Sequence, residues 1–187
     1  MASQSGNQDA IYEFMPSGAQ STFASDSAYP FGLAFNSAGN LFVGNWLSGD
    51  IIKITPSGVQ STFASGFGFA NGPTGGLAFN SAGNLFEADS GSGNIYEFTP
   101  GGVRSTFASG LSSPAGLAVN SAGDLFEADQ GSGNIYEFTP SGSQSTFASG
   151  LSSPAGLAFQ PVPEPSALGL LAAAAGSLVL RRRWRRA

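Results

Sequence analysis

The 34 residues GLAFNSAGNLFEADSGSGNIYEFTPGGVRSTFAS (76–109) decide the fold, because the chain repeats them almost unchanged at 116–149. A third, more divergent copy lies at 32–65, and the STFAS segments recur at intervals of 40 to 44 residues. Self-similarity at this period is typical of architectures built from repeated sheets. The long identical runs also suggest recent duplication, so a recurring residue can record shared ancestry rather than a separate role.

Each copy predicts four short antiparallel strands. In the copy at 76–109 the apolar segments GLAF, LFEAD and IYEF alternate with turns rich in Gly, Ser and Asn, and Pro100 fixes the turn after the third segment. The more polar segment VRSTFAS follows and suits an outer strand that faces water. This pattern predicts an all-β fold, a β-propeller of four-stranded blades. The regular placement of Leu, Ile and Phe argues against the alternative, a glycine-rich linker without structure.

The composition agrees with this fold class and excludes several kinds of site. The 187 residues suffice for one sizeable domain plus a tail, and only 10% are charged, whereas Gly numbers 27 and Phe 16. The absence of Cys and His excludes disulfides, a thiol nucleophile, a His base and a Cys/His zinc site. Before Arg181 two basic residues stand against twelve acidic ones, a balance of −10, so the main domain is not expected to bind nucleic acid.

The chain divides into propeller repeats at 1–160 and a C-terminal tail at 161–187. The predicted units are full blades near 32–65, 76–109 and 116–149, with pieces of a further blade at 1–25 and 156–159. Residues 2–7 resemble the hairpin at 128–133, and GLAF at 156–159 reads as a lone first strand. We therefore expect about four blades, or a fragment of a larger ring. The N-terminus also lacks the basic start and apolar stretch of a signal peptide, which favours a truncated sequence.

The repeat unit, Pro-x-GLAxxxxGNLF-x-x-D…NIYEF-x-PxG, resembles the NHL-repeat family and the related gluconolactonase and lyase propellers. The resemblance covers roughly residues 11–159 and implies the architecture rather than an activity. Two departures are visible. Members usually carry Arg before the third strand, where this chain has Asp50, Asn94 and Asn134. They usually carry Val in the second strand, where Val43 keeps the pattern but Glu87 and Glu127 do not. We expect either weaker pairing between blades or a carboxylate turned toward solvent.

The tail changes composition abruptly. Prolines in the segment PVPEP lead into the apolar stretch 166–180, and five arginines close the chain: Arg181, Arg182, Arg183, Arg185 and Arg186. Fifteen residues make a helix of about 22 Å, short for a hydrocarbon core of ~30 Å, but flanking arginines that reach the interface favour a membrane span. A buried core helix and a nucleic-acid-binding basic patch fit this order less well.

The order of these parts closely resembles the PEP-CTERM sorting signal of Gram-negative bacteria. The resemblance implies export, transient anchoring in the inner membrane, and cleavage by an exosortase-type enzyme that recognises Pro163, Glu164 and Pro165. The mature protein is then expected at the cell surface or in the extracellular matrix.

Evidence for an enzyme is weak. Lyases of this fold usually need a His base, and the related hydrolases bind a divalent metal through Glu, Asn and Asp around the central channel. The recurring candidates for such a site, suited to Ca²⁺ as hard oxygen ligands, are Glu87, Asp89, Glu127, Asp129 and, in the equivalent position, Asn45. The favoured alternative is that Asp89, Asp129 and Asn45 cap the Gly/Ser hairpins. We predict no catalytic residue and no required cofactor.

Trp46 is the best single candidate for a solvent-facing contact, because it replaces Ser90 and Gln130 of the other copies. The function predicted from the sequence is a binding or structural module whose partner is an extracellular polysaccharide or a protein. A metal-dependent gluconolactonase-like hydrolase and a duplication product without independent function are the alternatives.

Overall fold

A computed structural model describes residues 2–3, 10–25, 29–66 and 74–159. These ranges contain fifteen β-strands and no helix, hence none that could cross a membrane. The all-β prediction is confirmed. The strands are β1 (Ala2–Ser3), β2 (Ala10–Phe14), β3 (Gln20–Ser25), β4 (Pro30–Phe35), β5 (Leu41–Asn45), β6 (Ile51–Ile54), β7 (Gln60–Ala64), β8 (Thr74–Phe79), β9 (Leu85–Asp89), β10 (Asn94–Phe98), β11 (Arg104–Ala108), β12 (Pro114–Val119), β13 (Leu125–Asp129), β14 (Asn134–Phe138) and β15 (Gln144–Ala148).

Twelve of these strands form three four-stranded antiparallel sheets, in which each strand pairs with the next along the chain. We call them blade one (β4–β7), blade two (β8–β11) and blade three (β12–β15). Strands β1–β3 form a three-stranded first sheet. The innermost strands β4, β8 and β12 lie side by side in that order. This is the predicted β-propeller architecture.

The first sheet contains the second, third and fourth strands of a blade. Ala2 pairs with Ile11 and Ser3 with Ala10, just as Ala128 pairs with Ile135 in blade three. The likeness of 2–7 to 128–133 therefore predicts the place of β1. The remainder of that stretch, residues 4–9, lies outside the described residues.

The strand predicted at 156–159 is not formed, and this prediction is wrong. Residues 154–159 have the sequence PAGLAF, which nearly repeats β12, yet no strand in the described part of the chain pairs with them. A strand exists only through hydrogen bonds to a neighbour, so sequence likeness alone does not produce one. The segment nevertheless packs like an innermost strand: the Phe159 and Phe126 rings lie 5.0 Å apart, as do those of Phe79 and Phe42.

The turns repeat with the sequence. In blade two, Gly83 has a φ of +83° and donates its N–H to the carbonyl of Asn80, while the Asn80 side-chain oxygen accepts the N–H of Asn84. A positive φ favours Gly, and Asn side chains bond to the backbone in such turns. Local chemistry therefore sets the turn between the first and second strands.

The hydrophobic core consists of layers between neighbouring sheets. Ile11, Leu41, Val43 and Ile54 form the layer between the first sheet and blade one. The other two layers share this composition, joining blade one to blade two around Phe42, Ile51, Leu77, Leu85 and Phe98, and blade two to blade three around Phe86, Ala88, Ile95, Leu117, Leu125 and Phe138. Edge-to-face Phe pairs between second and fourth strands extend these layers outward, with centroids 4.9 Å apart for Phe42–Phe63 and for Phe86–Phe107.

Glycine allows the innermost strands to approach closely. A Cβ on Gly75 would lie 2.6 Å from the carbonyl oxygen of Ala115 and 3.0 Å from that of Ala88, closer than real Cβ contacts. A larger residue at this position would separate blades two and three. The close approach creates the narrow channel described next.

Candidate functional site

The part of the central channel that the described residues line is apolar. Four segments surround a volume of about 240 Å³: 31–33, 75–77, 115–117 and 155–157. Their twelve residues are Gly, Leu, Ala and one Phe. This described lining therefore offers no ionisable side chain for acid–base chemistry and no oxygen side chain for a cation.

The two second-strand glutamates do not reach that channel. Glu87 and Glu127 lie in the middle of β9 and β13, and both side chains are completely buried. Because side chains alternate along a strand, Glu87 shares the face of Leu85, which packs against blade one. By the same alternation, Glu127 shares the face of Leu125 and points to the layer between blades two and three.

The carboxyl oxygens of Glu87 have no hydrogen-bond partner among the described residues, and those of Glu127 make no well-aligned hydrogen bond there, although the Ala115 backbone lies close enough to act on this acid. Burial, reinforced by the Asp89 carboxylate, raises the pKa of Glu87 well above its ordinary value, although the Arg104 guanidinium opposes the rise. Burial and the Asp129 carboxylate raise the pKa of Glu127 to about 8. The Ala115 backbone, which favours the ionised form through hydrogen bonding, opposes the rise. The Glu127 carboxyl is therefore mostly neutral at neutral pH and below, and the pKa of Glu87 is shifted in the same direction. Both side chains lie between blades, away from solvent.

The aspartates of these strands bind backbone amides. The Asp89 carboxylate accepts the N–H groups of Gly91 (3.0 Å) and Ser92 (3.3 Å) in the following hairpin. The Asp129 carboxylate accepts the N–H of Ser132 (3.0 Å) and also those of Ser112 (2.7 Å) and Ser113 (3.1 Å), from the segment that enters blade three. The bonds within the hairpins are the Asx-type bonds expected of a hairpin cap, whereas those from Ser112 and Ser113 tie a distant segment to the Asp129 hairpin.

The same position in blade one behaves differently. Asn45 is buried, but its side-chain oxygen has no hydrogen-bond partner among the described residues. Within those residues no group of three or more acidic side chains is placed to hold a metal ion. The carboxylates considered as Ca²⁺ ligands therefore lie in two separate places, the glutamates between blades and the aspartates at the hairpins.

Trp46 lies on what we call the upper face, the end of the propeller at which the innermost strands begin. It follows β5 and is 46% exposed. Its backbone N–H donates to the carbonyl of Tyr29 (2.9 Å), and the two rings meet edge to face at 6.3 Å. Tyr29 has a φ of +57°, which costs a residue other than Gly about 1–3 kcal/mol.

Two further exposed apolar side chains lie at the same end of blade one. Phe31, two residues after Tyr29, lies in the channel mouth at a bulge in the pairing of β4 with β5 and is 49% exposed. Leu47, next to Trp46, is 58% exposed. We call these four residues the blade-one platform: Tyr29, Phe31, Trp46 and Leu47.

Sequence reasoning found Trp46 but missed its three companions. The signal was available, because aligning the repeats places Ser113, Ala115 and Gly131 of blade three at the positions of Tyr29, Phe31 and Leu47. Blade two has Pro73, Gly75 and Gly91 there. What the sequence alone could not supply was that all four positions lie near one end of one blade.

The predicted sorting residues Pro163, Glu164 and Pro165, the apolar stretch and the arginines all lie outside the described residues. The sequence there matches the model of the PEP-CTERM protein-sorting motif over residues 161–183. The tail is therefore a PEP-CTERM motif, which indicates export and sorting to the cell envelope. No curated protein matches the chain.

Solved structures resemble the propeller part. A virginiamycin B lyase from Staphylococcus aureus superposes with a TM-score of 0.64 and 16% identity over 80% of this chain and 52% of its own. A chain of a nidogen/laminin complex gives 0.69 and 22% over 82% and 62%, and a putative gluconolactonase gives 0.66 and 17% over 79% and 60%. The chain thus spans between half and two thirds of the length of these structures. The identities establish the fold alone, a β-propeller.

Proposed function

We propose that this chain is an exported, non-catalytic binding module, displayed at the cell surface or in the extracellular matrix. The observation that carries the proposal is the PEP-CTERM match at 161–183 behind a propeller whose described channel lining has no ionisable side chain. The first feature supports an envelope location. The second favours recognition over catalysis.

The tail suggests how the module is sorted. The apolar stretch 166–180 would hold the precursor in the inner membrane, with the five arginines on the cytoplasmic side. An exosortase would then recognise Pro163, Glu164 and Pro165 and cleave nearby, releasing the propeller to the outside. The acidic propeller would repel nucleic acid, which agrees with a role outside the cell.

Processing can be tested with the full chain in a host that carries an exosortase and in the same host without it. We expect the intact mass of the mature protein to end near Pro165 only when the exosortase is present. Glu164→Ala should leave the tail attached, whereas the control Glu13→Ala, an exposed glutamate of β2, should be processed normally. An intact tail in the exosortase host would contradict the proposal.

The second candidate is a metal-dependent hydrolase, and the observation in its favour is the likeness to a putative gluconolactonase. The burial of Glu87 and Glu127 between blades and the hairpin bonds of Asp89 and Asp129 speak against it. We expect no hydrolysis of gluconolactone above the uncatalysed rate at millimolar Ca²⁺, and no rise in melting temperature on Ca²⁺ addition. Metal-dependent turnover would favour the hydrolase.

A further inference from the structure

The blade-one platform is the place where the repeats differ most in chemical character. Blades two and three carry Pro, Ser, Gly, Ala or Gln at its four positions, whereas blade one carries Tyr, Phe, Trp and Leu. The stretch that links these positions, GLAFNSAGNLF, is identical at 32–42 and 76–86, so the shared strands do not demand large apolar side chains there. All four are more than two-fifths exposed, so they contribute only part of their surface to the core.

We propose that the blade-one platform binds a neutral carbohydrate chain by stacking sugar rings on Trp46, Tyr29 and Phe31. This inference rests on the proposed function, because it gives the exported module its ligand. A pyranose ring presents a face of C–H groups that packs against an aromatic π-face, whose quadrupole is negative. Its hydroxyl groups meanwhile remain in water at the rim of the channel mouth.

The size of the platform suits a short stretch of glycan better than a folded protein. Each of these side chains carries roughly 200 Å² and is about half exposed, so together they offer roughly 400 Å². A stable protein interface buries about 800 Å² on each partner. Exposed apolar patches of this smaller size are often functional on a monomer.

Charge favours a neutral glycan over an acidic one. None of the four platform residues is charged, and the described chain contains only two basic residues, Lys53 and Arg104. Lys53 lies on the third strand and Arg104 on the fourth strand of another blade, where its guanidinium lies 5.1 Å from the Tyr96 ring. The acidic propeller would repel uronate or sulfate groups.

Binding can be located with the full-length chain and three neutral probes: cellohexaose, laminarihexaose and mannohexaose. The chain has two tryptophans, Trp46 and Trp184, so a Trp184→Phe background makes Trp46 the sole indole reporter. We expect at least one probe to shift the emission of Trp46 saturably, with a millimolar or tighter Kd. An alginate hexamer, which carries uronates, should bind at least tenfold more weakly.

The repeats themselves supply the test variants. Trp46→Gln and Phe31→Ala introduce the blade-three residues, and each should weaken the calorimetric Kd at least tenfold while the chain still unfolds in a single cooperative thermal transition. Val59→Ser is the matched control, since Val59 is 63% exposed, lies in the turn between the third and fourth strands, and is replaced by Ser143 in blade three. It should change the Kd by less than twofold.

Three results would overturn the inference: no binding of any neutral probe at 10 mM, equal binding by Trp46→Gln, or saturable capture of a protein partner through the platform instead. The proposed function fails separately. If the propeller is processed and exported but binds no glycan, only the carbohydrate ligand is refuted. If the chain keeps its tail and stays inside the cell, display of the module is refuted, whatever the chain binds in vitro.

Discussion

Blade one and the two blades that follow it along the chain share a backbone but differ in where their polar and apolar residues lie. Blade one has Val43 at the middle of its second strand and large apolar side chains on its upper face. Blades two and three have glutamates at the equivalent buried position and small or polar residues above. The same repeat therefore has a buried apolar residue and an apolar upper face in blade one. In blades two and three it has a buried acid and an upper face of small or polar residues.

This difference separates what the fold requires from what it tolerates. Val43 shows that an apolar residue satisfies the layer between sheets, so Glu87 and Glu127 are not needed for packing. A buried carboxyl without a hydrogen-bond partner costs about 1–3 kcal/mol. The apolar side chains clustered in the same layers offset this cost through their own burial.

The largest expected effect comes from placing in blade one the buried glutamate that blades two and three carry. In Val43→Glu the carboxyl would enter the layer formed by Ile11, Leu41 and Ile54, and the larger side chain would also overpack it. We expect a loss of about 3 kcal/mol or more in the free energy of unfolding, measured by chemical denaturation. The exposed control Val59→Glu should change it by less than about 0.5 kcal/mol. A small effect at Val43 would show that the first layer also tolerates an acid.

The next effect is a dependence on pH that blades two and three confer. Below about pH 4.5 these carboxyls are protonated in both the folded and unfolded chain, so stability does not depend on their ionisation there. As the pH rises from 4.5 toward the folded pKa of Glu127, about 8, the folded state holds more protons than the unfolded state. The free energy of unfolding should therefore fall, by at most about 1.4 kcal/mol per pH unit for each acid.

Replacing both glutamates with Val, the residue that blade one has at this position, should remove that dependence on pH. The double variant Glu87→Val and Glu127→Val is expected to be more stable than the parent chain by about 1–3 kcal/mol near pH 4.5, and this difference should grow toward pH 8, where the buried acids of the parent resist ionisation. Denaturant titrations between pH 4.5 and 9 measure both slopes. Parallel curves for the two proteins would mean that the acids ionise freely in the folded chain.

The repeats predict the strands and the blades, because each strand is encoded by its own short segment and its own turn. The failed strand at 156–159 shows the limit of this reasoning, since its sequence is right but pairing depends on a neighbour that sequence likeness does not supply. The burial of Glu87 between two blades could not be predicted from the sequence either. Alternation assigns a side chain to one of two faces, but every residue of β9 is buried, so neither face of that strand leads to solvent.

The smallest expected effect compares the hairpin caps of the three blades. Asp129 accepts three backbone N–H groups and ties Ser112 and Ser113 to blade three, Asp89 accepts two, and the Asn45 oxygen accepts none among the described residues. Substitution by Ala should therefore cost stability in that order, about 2 kcal/mol for Asp129, about 1 for Asp89 and less for Asn45. Thermal melts of the three single variants at pH 6 would measure the order. Equal losses would mean that burial of the side chain, rather than its bonds to the backbone, stabilises these turns.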